Sequence, residues 1–173
     1  IKKGSYRIND AGKKNVTERI SNHLEKENKG KLFIFGNNVL LKTILKELPD
    51  DVKDITIIKK KEETLDLNGV DTKRFILNII EQNYDENLGY VASQAGHIVI
   101  LTDRQMERED SDIQNILLLL KLMDLKERMD YNYNITVELN MENSYNVSLR
   151  NSSIDYIVGS NIAPLILAQM SEN

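Results

Sequence analysis

No cysteine occurs among the 173 residues, which excludes disulfide scaffolds, thiolate metal centres and cysteine nucleophiles and is compatible with a reducing compartment. Positive charge is not in surplus either. Twenty-three Lys and Arg stand against 27 Asp and Glu, a net charge of -4, so general nucleic-acid binding through phosphate contacts is disfavoured. Long apolar runs are missing: the longest, such as Ile116 to Leu120, fall far short of the ~20 residues a bilayer-spanning helix needs. Histidine is scarce, and neither His23 in the polar start nor His97 at the opening of a strand has an evident serine or carboxylate partner. No catalytic constellation emerges, and the expectation is a protein that is not an enzyme. The chain begins at Ile1 without a signal-peptide pattern, which reads as a piece of a longer protein.

What is present is an ordinary globular composition, 40% apolar and 29% charged, at the length of one domain with an added arm. Residues 1–30 are polar. Val16, Ile20 and Leu24 recur every four residues there, which predicts a partly helical N-terminal arm with its helix over about 15–28. From Lys31 the texture changes to short β-branched and aromatic runs: Lys31–Phe35, Asp54–Ile58, Arg74–Ile80, His97–Leu101, Ile135–Leu139 and, more weakly, Ile154–Val158. Runs that are apolar on consecutive residues are the signature of strands buried on both faces, the condition met in parallel sheets.

The intervening segments must then be crossovers. Val39, Leu41, Ile44, Leu45 and Leu48 form one stripe that Pro49 terminates, which predicts a helix over 38–48. Ser111 followed by Gln114 has capping-box spacing and opens a helix through Ile113, Ile116, Leu117, Leu120 and Met123 to about Arg128. Weaker patterns at 59–73 and 81–95 predict short helices. Near the end, Asn161 caps a helix with Pro164 in its first turn, followed by Leu165, Ile166, Leu167 and Met170. Strand alternating with helix predicts an α/β fold of Rossmann type, a doubly wound and mainly parallel six-stranded sheet with helices on both faces, over residues 31–173.

In such a sheet the usable crevice lies outside the carboxyl ends of the strands. Those ends read Gly36-Asn37-Asn38, Lys59-Lys60-Lys61, Thr102-Asp103-Arg104 and Asn140, and Gly36, Asn37, Asn38, Lys59, Thr102, Asp103, Arg104 and Asn140 are the candidate ligand-binding residues. A dinucleotide fingerprint needs Gly-x-Gly-x-x-Gly, and only Gly36 is present. Where NAD proteins place an acid for the ribose hydroxyls, this chain has Lys59 and Lys60, which either accept a phosphate-bearing ligand or form a solvated cluster. Five carboxylates fall between Asp103 and Asp112, an oxygen density that suits Ca²⁺, with Asp103 and Glu107 the candidate ligands. Their order does not match an EF-hand, and acids at a helix N-terminus are favoured by the helix dipole alone. Glu138 is either a buried acid or one facing a polar loop. Four consecutive leucines, Leu117 to Leu120, wrap apolar surface around more of a helix than one sheet face covers, so another element or a second chain should pack there.

The Gly36 turn and its helix, together with His-Ile-Val-Ile-Leu-Thr-Asp at 97–103 and Asn-Ile-Leu-Leu-Leu-Leu-Lys-Leu-Met-Asp-Leu at 115–125, resemble the RCK domains that regulate potassium and related cation channels. Asn134-Ile-Thr-Val-Glu-Leu-Asn140, Asp155-Tyr-Ile-Val-Gly-Ser-Asn161 and Leu165-Ile-Leu-Ala-Gln-Met-Ser-Glu-Asn173 are most similar to the CASTOR and POLLUX branch. The resemblance covers 31–173. It implies a lobe on the cytoplasmic side of the cell membrane, joined to the pore domain of the same protein. Eight such lobes would form a gating ring that couples ligand binding to pore opening. It further implies self-association through helices at 111–128 and 143–150 and through a closing helix at 161–171. Family ligands include nucleotides and Ca²⁺, although this chain departs from the nucleotide-binding members at the glycine turn and at Lys59. The rival expectation is a fragment of a nucleotide-dependent, NAD(P)-type oxidoreductase.

Overall fold

The computed structural model describes residues 31–48, 50, 52–140 and the backbone of 154–158. The expected arm at 1–30 and the helices expected at 143–150 and 161–171 lie outside the described residues. In chain order the elements are β1 (Lys31–Phe35), α1 (Val39–Glu47), β2 (Asp54–Lys59), a 3₁₀ turn (Thr72–Arg74), β3 (Ile76–Glu81), α2 (Leu88–Gln94), β4 (Ala95–Ile100), α3 (Arg108–Met129), β5 (Asn134–Leu139) and β6 (Ile154–Val158). The fold is α/β with a parallel sheet. Its strand order is β3-β2-β1-β4-β5-β6, with β6 placed beside β5 by backbone register.

Strand periodicity explains how the core divides. Successive side chains of a strand point to opposite faces, and the four inner strands β2, β1, β4 and β5 are buried at nearly every position. Leu32, Ile34, Ile55, Ile57, Val99 and Leu101 accordingly join Leu41, Ile44 and Leu45 of α1 in one cluster. The alternate residues Phe33, Phe35, Ile98, Ile100, Ile135 and Val137 join Leu88, Val91 and Ala92 of α2 and Leu118, Leu119 and Leu122 of α3 in another. Fully burying each of these large side chains contributes on the order of 2 kcal/mol, before the entropy of ordering the chain is subtracted.

Three sequence expectations need correction. β3 does not have two buried faces: it is the edge strand, and Ile76 and Ile79 are exposed. No α-helix forms over 59–73. That segment turns at Asn68-Gly69, where Gly69 has φ +79°, and ends in the 3₁₀ turn while Leu65, Leu67 and Val70 pack against the α1 cluster. Ser111 does not cap α3, which begins three residues earlier at Arg108. Glu109 and Asp110 occupy its first turn, where the dipole favours acids.

Candidate functional site

The carboxyl ends of β1, β2, β4 and β5 meet, and there the chain spends its polar groups on itself. Gly36 has φ +94°, and a Cβ on it would lie 3.1 Å from the Leu101 carbonyl oxygen and 3.4 Å from the Tyr84 hydroxyl. The missing side chain therefore admits the neighbouring strand end and a tyrosine.

Asn38 is the next residue but one. Its side-chain oxygen accepts from the Leu40 N–H at 2.9 Å and caps α1. Its amide nitrogen donates to Glu138 Oε2 at 2.7 Å and to the Thr102 carbonyl at 2.9 Å. Glu138 is buried and also accepts from the Thr102 N–H at 2.9 Å. One carboxylate thus ties together the ends of β1, β4 and β5. The buried-acid alternative for Glu138 is the one realised. Charge-assisted bonds of this kind are each worth ~1.5–3 kcal/mol.

The lysines at the end of β2 are likewise engaged. Lys59 Nζ lies 2.6 Å from Glu81 and donates to the Glu63 carbonyl at 2.9 Å. Its hydrogen bond holds the Glu81 carboxyl below the usual carboxylate range. Lys60 reaches across the crevice to Asp103 at 3.0 Å and to Gln114 Oε1 of α3 at 3.1 Å, with its ammonium 5.2 Å from the centre of the Tyr84 ring. Both lysines are paired within the chain, an arrangement that neither of the two readings left open for this cluster describes.

The remaining candidates scatter. The Asn37 side chain donates to the Thr64 carbonyl, away from the Glu138 network. Asn140 donates through its backbone N–H to Asp112 at 2.7 Å and through its side chain to the same oxygen at 3.1 Å. Arg104 and Glu107 are exposed. Asp103 Oδ2 is taken by Lys60 and its Oδ1 accepts from the Gln105 N–H. Among the described residues no group of three or more His, Asp or Glu is arranged to hold a metal ion, so Asp103 and Glu107 are joined by no third carboxylate or imidazole there.

Two important residues were not anticipated. Glu63 and Tyr84 are both buried, and the Tyr84 hydroxyl donates to Glu63 Oε1 at 2.8 Å while Oε2 has no hydrogen-bond partner. Burial, reinforced by the nearby Asp103 carboxylate, raises the Glu63 pKa above the usual carboxylate range; burial and the Glu63 charge raise that of the Tyr84 phenol. No local signal could have found this pair. Lys-Lys-Lys-Glu-Glu at 59–63 has the composition of a solvated loop, and the partner is 21 residues away.

Beside this cluster a groove of about 580 Å³ runs between the loop at 83–85 and α3. Ile113, Leu117 and Leu118 form its apolar wall, and Lys60, Asp110, Gln114 and Lys121 supply its polar rim. Ile113, Leu117 and Leu120 are 50%, 54% and 42% exposed, although α3 buries Leu118, Leu119 and Leu122 against the sheet. Among the described residues no helix is long and apolar enough to cross a membrane. No family model matches the chain, and no curated protein matches it.

Proposed function

We propose that this chain is a Rossmann-type, doubly wound regulatory lobe of the RCK class, serving on the cytoplasmic side of a ligand-gated potassium or cation channel. It acts there by assembling with copies of itself. The observation that supports the reading is the exposed apolar face of α3: three large side chains spaced at 113, 117 and 120 remain half-exposed on a helix whose other face is fully packed. Burying half of each such side chain would contribute on the order of 1 kcal/mol, which makes the face a natural contact between copies.

The mechanism is a population shift. A ligand that binds one arrangement of assembled lobes more tightly than another moves the ring toward it, by no more than that difference in affinity. Lys60, which joins the loop after β2 to Asp103 and to Gln114 of α3, links the strand ends to the proposed assembly helix. The Gly36 turn gives no support to the oxidoreductase alternative, because the other glycines of a dinucleotide fingerprint are missing and the Leu101 carbonyl and Tyr84 hydroxyl lie close to the glycine.

The test is ion flux through the full-length protein reconstituted in liposomes, with and without Ile113→Lys and Leu117→Lys. The reading predicts a cation flux whose ligand response is lost in the double variant. A full-length protein that carries no ion, or that transfers hydride between a nicotinamide cofactor and a substrate, would contradict it.

A further inference from the structure

The loop after β2 buries a carboxyl group with one of its two oxygens unpartnered. Glu63 is 7% exposed. Its single side-chain hydrogen bond comes from Tyr84, on the loop between β3 and α2, and its second oxygen has no partner. The charged groups facing it are Asp103, beyond β4, and Lys60, on its own loop. Lys59 reaches only the Glu63 backbone carbonyl and spends its charge on Glu81 of β3. Lys60 is in turn committed to Asp103 and Gln114. No cation is therefore dedicated to an ionised Glu63. A buried carboxylate without a dedicated partner costs several kcal/mol, whereas the same group turned out into water costs nothing.

The loop has the means to turn it out. Residues 60–63 form a single turn closed by the Glu63 N–H donating to the Lys60 carbonyl, and Lys61 and Glu62 at its tip are exposed. Within the turn the Lys59 ammonium holds the Glu63 carbonyl, and the chain beyond is held separately, by Asn37 at Thr64 and by the Lys42–Asp66 ion pair, so opening breaks the Lys59 contact while leaving the segment that follows in place.

We propose that Glu63 and Tyr84 form a proton-operated latch across the mouth of the sheet, closed when Glu63 is protonated and released when it ionises. Release swings the turn outward and removes the contact that holds the Tyr84 hydroxyl. It also loosens Lys60, which lines the groove beside α3 together with Tyr84. The latch is a property of this loop and stands whether or not the chain belongs to a channel.

The sign follows from the burial. The closed state binds the proton more tightly than the open state, so the latch is fully stable below the ordinary carboxylate pKa of 4.5. It weakens as pH rises from there through the raised value of the closed form. Hydrogen exchange of the amides of 60–65 in the full chain, corrected for intrinsic base catalysis, reads the opening directly. As pH rises above the ordinary carboxylate value the corrected opening should increase, at up to ~10-fold per pH unit, and level off once the closed form itself ionises. Glu63→Gln should abolish that dependence. Tyr84→Phe removes a bond that favours the ionised carboxylate, so the rise should extend to higher pH. Corrected exchange that stays flat in the wild-type chain, or that rises equally in Glu63→Gln, overturns the proposal; so does an unmoved upper limit in Tyr84→Phe.

Discussion

Gly36 and Asn38 show how closely the turn after β1 is fitted to its surroundings. A Cβ at Gly36 would both press on the Leu101 carbonyl and require an L-residue at φ +94°. Gly36→Ala should therefore lower unfolding stability by ~1–3 kcal/mol, measurable by urea denaturation. Asn38→Ala removes a helix cap and a donor to buried Glu138, and the same measurement should show a loss of ~2–3 kcal/mol. Gly36 was visible in the sequence as a turn and Asn38 as the start of a helix because both signals are local, although the capping role of Asn38 was not read. Their partners were not visible: Leu101, Tyr84 and Glu138 arrive from 48 to 100 residues away, and only the sheet order brings them together. Glu63 escaped for the same reason. Nothing near it in sequence distinguishes it from the exposed Glu62, and its burial depends on a tyrosine supplied by another crossover.

The inner strands were legible because both their faces are buried, which leaves consecutive apolar residues as the trace. β3 carries a similar run, Ile-Leu-Asn-Ile-Ile, yet stands at the sheet edge, since composition does not record which strand comes last. α3 offers a different lesson. Ser111 and Gln114 match a capping box, but the Ser111 hydroxyl accepts from the Asp103 N–H at 2.9 Å and Gln114 accepts from Lys60, so from inside the helix Ser111 serves the loop after β4 and Gln114 the loop after β2. Ser111→Ala should leave the start of α3 in place and instead release the 103–107 turn, visible as faster amide exchange at Asp103 with helix content unchanged by circular dichroism. The leucine run was read correctly as more apolar surface than one sheet face covers, with Leu118 and Leu119 inward and Leu117 and Leu120 outward. Because the outward residues touch little of their own chain, Ile113→Lys with Leu117→Lys should change unfolding stability by no more than ~0.5 kcal/mol per site.

Taken as one body, residues 31–140 and 154–158 combine a strand-end crevice closed by internal ion pairs and hydrogen bonds with a helix that leaves apolar side chains uncovered. The first feature commits the strand ends to contacts within the chain, and the second leaves exposed the face on which the proposed self-association depends. The proposed role rests on the second. Sedimentation equilibrium of the chain from low to high micromolar concentration, run in parallel on the wild type and on the Ile113→Lys, Leu117→Lys variant, addresses it most directly. Self-association in the wild type, abolished in a variant that remains folded, is the predicted result. A wild-type chain that stays monomeric throughout, or one that associates as strongly with both lysines in place, would contradict it.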